Sequence, residues 1–193
     1  MSAKKVNAAG SAAKMKRFSD IVLRHAPANF GDMKSGNIFA KAADSIRAQI
    51  QDVSIVHAVF TTREDVVRVL DELVREGLGL SVVVTGVIPE IERICRDLGI
   101  GKHTIEYSGG IHGKLDLLPH ADVLAISTMC GHGMVSAHLV QEKAAAVIAG
   151  RLTAKEAAED LAKPCQCGIF NVPRAEKLIA ELASKAKEVK SGG

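Results

Sequence analysis

Residues 53–84 read VSIVHAVFTTREDVVRVLDELVREGLGLSVVV. The first eight are rich in β-branched side chains, which suit a pleated, half-buried surface, so 53–60 predicts a strand. Residues 64–76 put Val66, Leu70, Leu73 and Val74 on one face of a 3.6-residue period, which predicts a helix. Gly77 and Gly79 end that helix, and 80–84 is a second apolar run. A strand, a helix and a strand in this order predict a crossover unit with parallel strands.

Further along, Pro89 opens a helix carrying Ile91, Ile94, Cys95 and Leu98, Gly99 closes it, and 104–107 and 122–127 are expected as a third and a fourth strand. The expected fold class is therefore α/β, a mostly parallel sheet of about four strands with helices on both faces. The link between the last two strands is about a dozen residues, near the minimum for a crossover, so the direction of the fourth is the least constrained.

Either side of this core, 53–150, lie helical additions. Residues 1–11 have the composition of a flexible tail. Residues 12–52 predict an N-terminal helical pair, with Met15, Phe18, Ile21 and Val22 on one face and Phe39, Ala42, Ala43, Ile46 and Ile50 on the other helix. Between them, 26–37 holds Pro27, Gly31 and Gly36 and reads as a loop. Residues 151–193 predict a C-terminal helical arm: Thr153 and Glu156 form a capping box, the helix stops before Pro164, a C-x-C turn follows, and Pro173 sits near the start of a last helix burying Leu178, Ile179 and Leu182. All 193 residues are expected to form a single domain.

Composition narrows the function classes. The apolar share is 47% and the charged share 24%, ordinary for a globular protein, but there is no Trp and one Tyr, so the core is built from aliphatic residues. A net charge of +3 with no basic face interleaved with aromatics argues against nucleic acid as a partner. Basic residues near the ends (Lys4, Lys5, Lys14, Lys16, Arg17; Lys185, Lys187, Lys190) read as solvated tails. No apolar run approaches the roughly 20 residues of a membrane span, and no signal-peptide pattern opens the chain, so no membrane is expected and the location is expected to be cytoplasmic.

In a reducing compartment, clustered cysteines point to metal or redox chemistry before disulfides. Cys130 lies in TMCGHGMVS, and Cys165 and Cys167 lie in KPCQCGIFN, where Pro164 and Gly168 hold them in a turn. These three are the expected metal ligands, whereas Cys95 reads as a small core residue on its helix. Three thiolates leave the fourth position open. A [4Fe-4S] cluster with one exposed iron could act on a small anionic substrate as a Lewis acid; with His132 as fourth ligand the alternative is a closed, structural zinc site. A thiol–disulfide pair or inert cysteines are the competing readings. For an enzyme, His112 and His132 in glycine-rich loops are the acid–base candidates, and Lys114 could neutralise an anion. Thr128, Gly131, Gly133 and Ser136, running into a helix N-terminus, and Asn171 after the C-x-C turn, are the candidate binding residues. The same glycines would also serve a plain tight turn. His57, inside an apolar run, reads as a hydrogen-bonded core side chain.

Overall fold

A computed structural model describes residues 1, 3 and 5–191, with side chains through Glu188; Lys4 and the side chain of Lys190 lie outside the described residues. Strands β1 (Asn29–Asp32), β2 (Gly36–Asn37) and β3 (Val56–Val59) form one sheet in the order β2-β1-β3. Both pairings are antiparallel, with Gly31 opposite Asn37 on one side and opposite His57 on the other. This corrects the expected four-stranded parallel sheet: the architecture is mostly helical around a small antiparallel sheet.

The physical reason lies in the stretch expected to be a loop. Asp32 Oδ2 accepts from the Ser35 backbone N–H (3.1 Å) and the Ser35 hydroxyl (2.8 Å), so a side chain turns the backbone and β2 folds back on β1. Once β1 pairs with β3, the apolar run at 53–60 has its partner without any crossover. Residues 82–84 and 104–107 then form no strand. Residues 122–127 lie in helix α5, below; a short apolar run does not distinguish strand from helix by its period, and His120 supplies a cap by accepting from Asp122 N–H.

The helices are α1 (Ser11–Arg24), α2 (Ala43–Ala48), α3 (Arg63–Glu76), α4 (Ile88–Asp97), α5 (Ala121–Ser127), α6 (Ala137–Ile148), α7 (Ala154–Ala162) and α8 (Val172–Ser191). Most apolar faces are those the spacing predicts: α1 buries Met15, Phe18, Ile21 and Val22. Thr62 caps α3 and Gly77, at φ 59°, ends it, while Thr153 and Glu156 make the expected capping box on α7. No helix among the described residues is long and apolar enough to cross a membrane.

Two readings of the N-terminal region change. Met1 is not loose: its ammonium donates to Val56 O (2.7 Å) and its carbonyl accepts from Val56 N–H (3.1 Å), so it lies along the free edge of β3 with its side chain in the core. Arg17, expected in a solvated tail, sits on α1 and pairs with Glu76 of α3 at 2.7 Å. Arg24 pairs with Glu72 beside it, and Arg47 of α2 with Asp20 of α1 at 2.5 Å. Such part-exposed pairs set helix register more than they set stability.

Buried side chains fall into two clusters. One gathers α1–α4 around Phe30 and Val56; the other gathers α5–α8 around Leu161, Phe170 and Ile179, with Cys130, Cys165 and Cys167 inside it. Strand β1 is the seam. Side chains alternate faces along a strand, so Phe30 enters the first cluster while Asn29 and Gly31 face the second. At Gly31 the missing side chain is required, because a Cβ there would lie 2.8 Å from the backbone carbon and oxygen of Cys167. Gly168 answers it from the other side: a Cβ there would lie 2.6 Å from Gly31 N and Phe30 C, and its φ is +74°.

Gly31→Ala and Gly168→Ala should therefore each destabilise the fold by more than about 2 kcal/mol in urea unfolding, since backbone atoms cannot step aside as a side-chain tip can. Gly131→Ala, with nothing within 4 Å of the added methyl, should stay within about 0.5 kcal/mol of wild type. Equal losses in all three would contradict the seam.

Candidate metal centre

The turn carrying Cys165 and Cys167 is held by the sheet. Asn37, opposite Gly31, projects to the same face, and its side-chain N–H₂ donates to Cys165 O (2.7 Å) and Ala162 O (3.0 Å). Asn29 donates to Phe170 O at 2.9 Å, five residues further on. Both amides are fully buried; Asn29 supplies the donor for Phe170 O, and Asn37 adds a second donor to each of two carbonyls at the end of α7 and in the following turn. Within the turn, Cys165 N–H bonds Ala162 O and Gly168 N–H bonds Cys165 O, each at 3.0 Å.

The other cysteine arrives on the α5–α6 connection. Thr128 ends α5, Gly133 N–H closes a turn on Cys130 O at 3.0 Å, and Ser136 caps α6 by accepting from Leu139 N–H at 3.2 Å. Gly131 and Gly133 thus belong to a helix-to-helix turn, not a strand-to-helix one. Packing of α5 and α6 against α8 brings Cys130 to the arm.

All four cysteines are free thiols, and Cys130, Cys165 and Cys167 are buried. The Cys165 and Cys167 sulfurs are 3.9 Å apart, and Cys167 Sγ lies 3.6 Å from His132 Nδ1. Cys130 lies in the same buried cluster as the pair. The hydrogen bond from Cys165, aided by the Ile169 backbone N–H and opposed by burial, lowers Cys167 to about 7. Cys165, as donor and buried, is pushed up. Of the C-x-C pair, Cys167 therefore carries the first negative charge.

Whether these donors suit a metal is a question of edge lengths. Zinc bonds of about 2.3 Å to sulfur and about 2.1 Å to nitrogen, in a tetrahedron, set S···S edges of roughly 3.8 Å and S···N edges of roughly 3.6 Å. The Cys165–Cys167 and Cys167–His132 separations match both. In their present positions no three His, Cys, Asp or Glu side chains among the described residues stand in the geometry of a closed metal site, so the donors meet pairwise.

The remaining expected residues are scattered. His112 Nε2 bonds Gly109 O at 2.7 Å within its own exposed loop, and Lys114 is exposed just before a short 3-10 turn. Neither forms a hydrogen bond or ion pair with the cysteine turn among the described residues. Asn171 Oδ1 accepts from Arg174 N–H at 3.1 Å and so caps α8. Thr128 and Asn171 line a cavity of about 650 Å³ that runs between β3, α3 and residues 82–85. Cys95 is half-buried on α4, away from the group.

Sequence reading missed Asn29, Gly31 and Asn37, which hold the turn, and the place of His57. By register His57 shares the face of Gly31. Burial, with the Met1 ammonium and His132 nearby, lowers it to about 4, so it is neutral at pH 7. Its Nδ1 and Asp32 Oδ1 are the buried side-chain polar atoms without a hydrogen-bond partner among the described residues, which departs from the expected satisfied core histidine. The usable signal was NFGDMKSGN at 29–37, where two amides, two glycines, Asp and Ser in nine residues exceed what a plain connector needs. Comparison with protein-family models, with curated proteins and with solved structures finds no match.

Asn37→Ala would remove the side-chain donor that Cys165 O and Ala162 O share beside their backbone partners, at about 0.5–1.5 kcal/mol per bond. It should lower the urea midpoint, and it should speed alkylation of Cys165 and Cys167 in the metal-free protein. Unchanged alkylation rates would mean that Asn37 does not hold the turn.

Proposed function

We propose that the chain binds one zinc ion through Cys130, Cys165, Cys167 and His132, and that the ion ties the helical arm to the α5–α6 turn. The carrying observation is that Cys167 Sγ lies at zinc-tetrahedron distances from two other donors. Three thiolates and an imidazole form a closed set, so the ion's contribution is folding energy and not substrate activation. The residues joined are 35 apart in sequence, between positions 132 and 167. A thiolate centre of this kind fits a cytoplasmic, reducing environment.

A second reading, a three-cysteine [4Fe-4S] centre in a lyase- or hydratase-type enzyme, is favoured by the cavity. Thr128 and Met129 before Cys130, and Ile169 after Cys167, all line it, giving a small anionic substrate an approach of the kind an open iron would use. His112 and Lys114 belong to that reading only. Sulfur spacing weighs against it, since a cubane gives each thiolate its own iron at a separate corner and holds the sulfurs further apart than 3.9 Å.

Anaerobic purification followed by metal and sulfide analysis separates the two. About one zinc and no sulfide per chain is expected, and Cys130→Ala, Cys165→Ala and Cys167→Ala should each bring zinc to background while Cys95→Ala retains it. His132→Ala should weaken zinc at least tenfold against a competing chelator. Iron and sulfide in equal amounts, unaffected by His132→Ala, would establish the cluster, and full metal content in the Cys165→Ala, Cys167→Ala double variant would remove both readings.

A further inference from the structure

The 650 Å³ cavity is built mostly from apolar surface. β3 contributes Val56 and Ala58, α3 contributes Val69 and Leu70, and the extended residues Val82 and Val84 form a third wall. A cavity of this size and character falls in the range of small-molecule sites, about 300–1,000 Å³, where a few polar groups fix the orientation of an apolar ligand.

Its polar groups are clustered in kind. Thr85, Thr128 and Asn171 are neutral, and His57 is uncharged at pH 7. Arg174 is the one permanently charged side chain among the lining residues, and no Asp, Glu or Lys lines the cavity with it. Its backbone N–H is used by the α8 cap, while its guanidinium forms no ion pair among the described residues. Seven other arginines, Arg17, Arg24, Arg47, Arg63, Arg68, Arg75 and Arg93, each meet a carboxylate, while Arg96 and Arg151, which do not line the cavity, form no ion pair among the described residues. An unpaired guanidinium beside apolar walls lacks the planar, bidentate partner that its geometry fits.

We propose that this cavity binds an amphipathic monocarboxylate, with the hydrocarbon body against β3, α3 and residues 82–84 and the carboxylate on Arg174. Charge complementarity selects the head group, and the continuous apolar lining selects the body. The site stands apart from the zinc reading, because none of the thiols lines the cavity. Its nearness to both cysteine loops through Met129 and Ile169 means that occupancy would be felt at the α5–α6 turn and at the arm.

Isothermal titration of the full chain with octanoate, 1-octanol and acetate tests the assignment. Octanoate should bind, acetate should not, and 1-octanol should bind at least tenfold more weakly than octanoate. Arg174→Gln, an exposed position outside the metal ligands, should lower octanoate affinity at least tenfold, leave 1-octanol affinity unchanged and leave zinc content unchanged. Failure of octanoate to bind the wild-type chain, or equal octanoate affinity in wild type and Arg174→Gln, would overturn the proposal. Zinc content read in the same samples keeps that failure distinct from failure of the metal reading.

Discussion

Backbone meets backbone where Gly31 of β1 lies against Cys167 and Gly168, and the rest of the structure depends on that contact. Because neither glycine carries a Cβ, the central strand and the C-x-C turn approach more closely than any other residue pair would permit. The approach brings Asn37 and Asn29 within reach of Cys165 O and Phe170 O. These buried amides convert a steric fit into a specific one, since each aims a buried donor at a particular carbonyl of the turn. The two hydrophobic clusters, one around Phe30 and one around Phe170, are joined at this seam.

The chemistry follows from the mechanics. A turn held at its carbonyls has its side chains directed away from the sheet, and both thiols of the C-x-C pair enter the second cluster. There Cys167 meets His132, and Cys130 lies in the same cluster, both supplied by the α5–α6 turn. Three free thiols without a disulfide, one of them lowered to about 7 beside an imidazole, form a set of soft donors. Beside the same loops, the cavity offers mostly apolar walls and the Arg174 guanidinium. Metal and ligand would therefore act on the same two loops.

Legibility in the sequence divided along physical lines. Helices with long amphipathic periods and local end signals, such as α3 with Gly77 and α7 with its capping box, were legible because their signals are local. The sheet was not, because strand propensity describes a surface that will accept a partner and does not say which partner. Of residues 53–60, read as a strand, 56–59 form β3 while Val53 sits in a turn at φ 59°; the partner proved to be 29–32, hidden in a run with too few β-branched residues to register. Residues 122–127 failed for a different reason, an apolar run too short for its period to decide between helix and strand. The approach of His132 to the C-x-C pair was readable from loop glycines and cysteine chemistry. Gly31 and Asn37 were not, since a glycine needed for close approach looks in sequence like any turn glycine.

X-ray absorption at the zinc edge on the purified full chain tests the central claim most directly, because it reads the ligand atoms themselves. The account predicts a first shell of three sulfurs at about 2.3 Å and one nitrogen at about 2.1 Å. A shell made only of nitrogen and oxygen, or a metal edge from iron with iron–iron scattering in place of zinc, would contradict it.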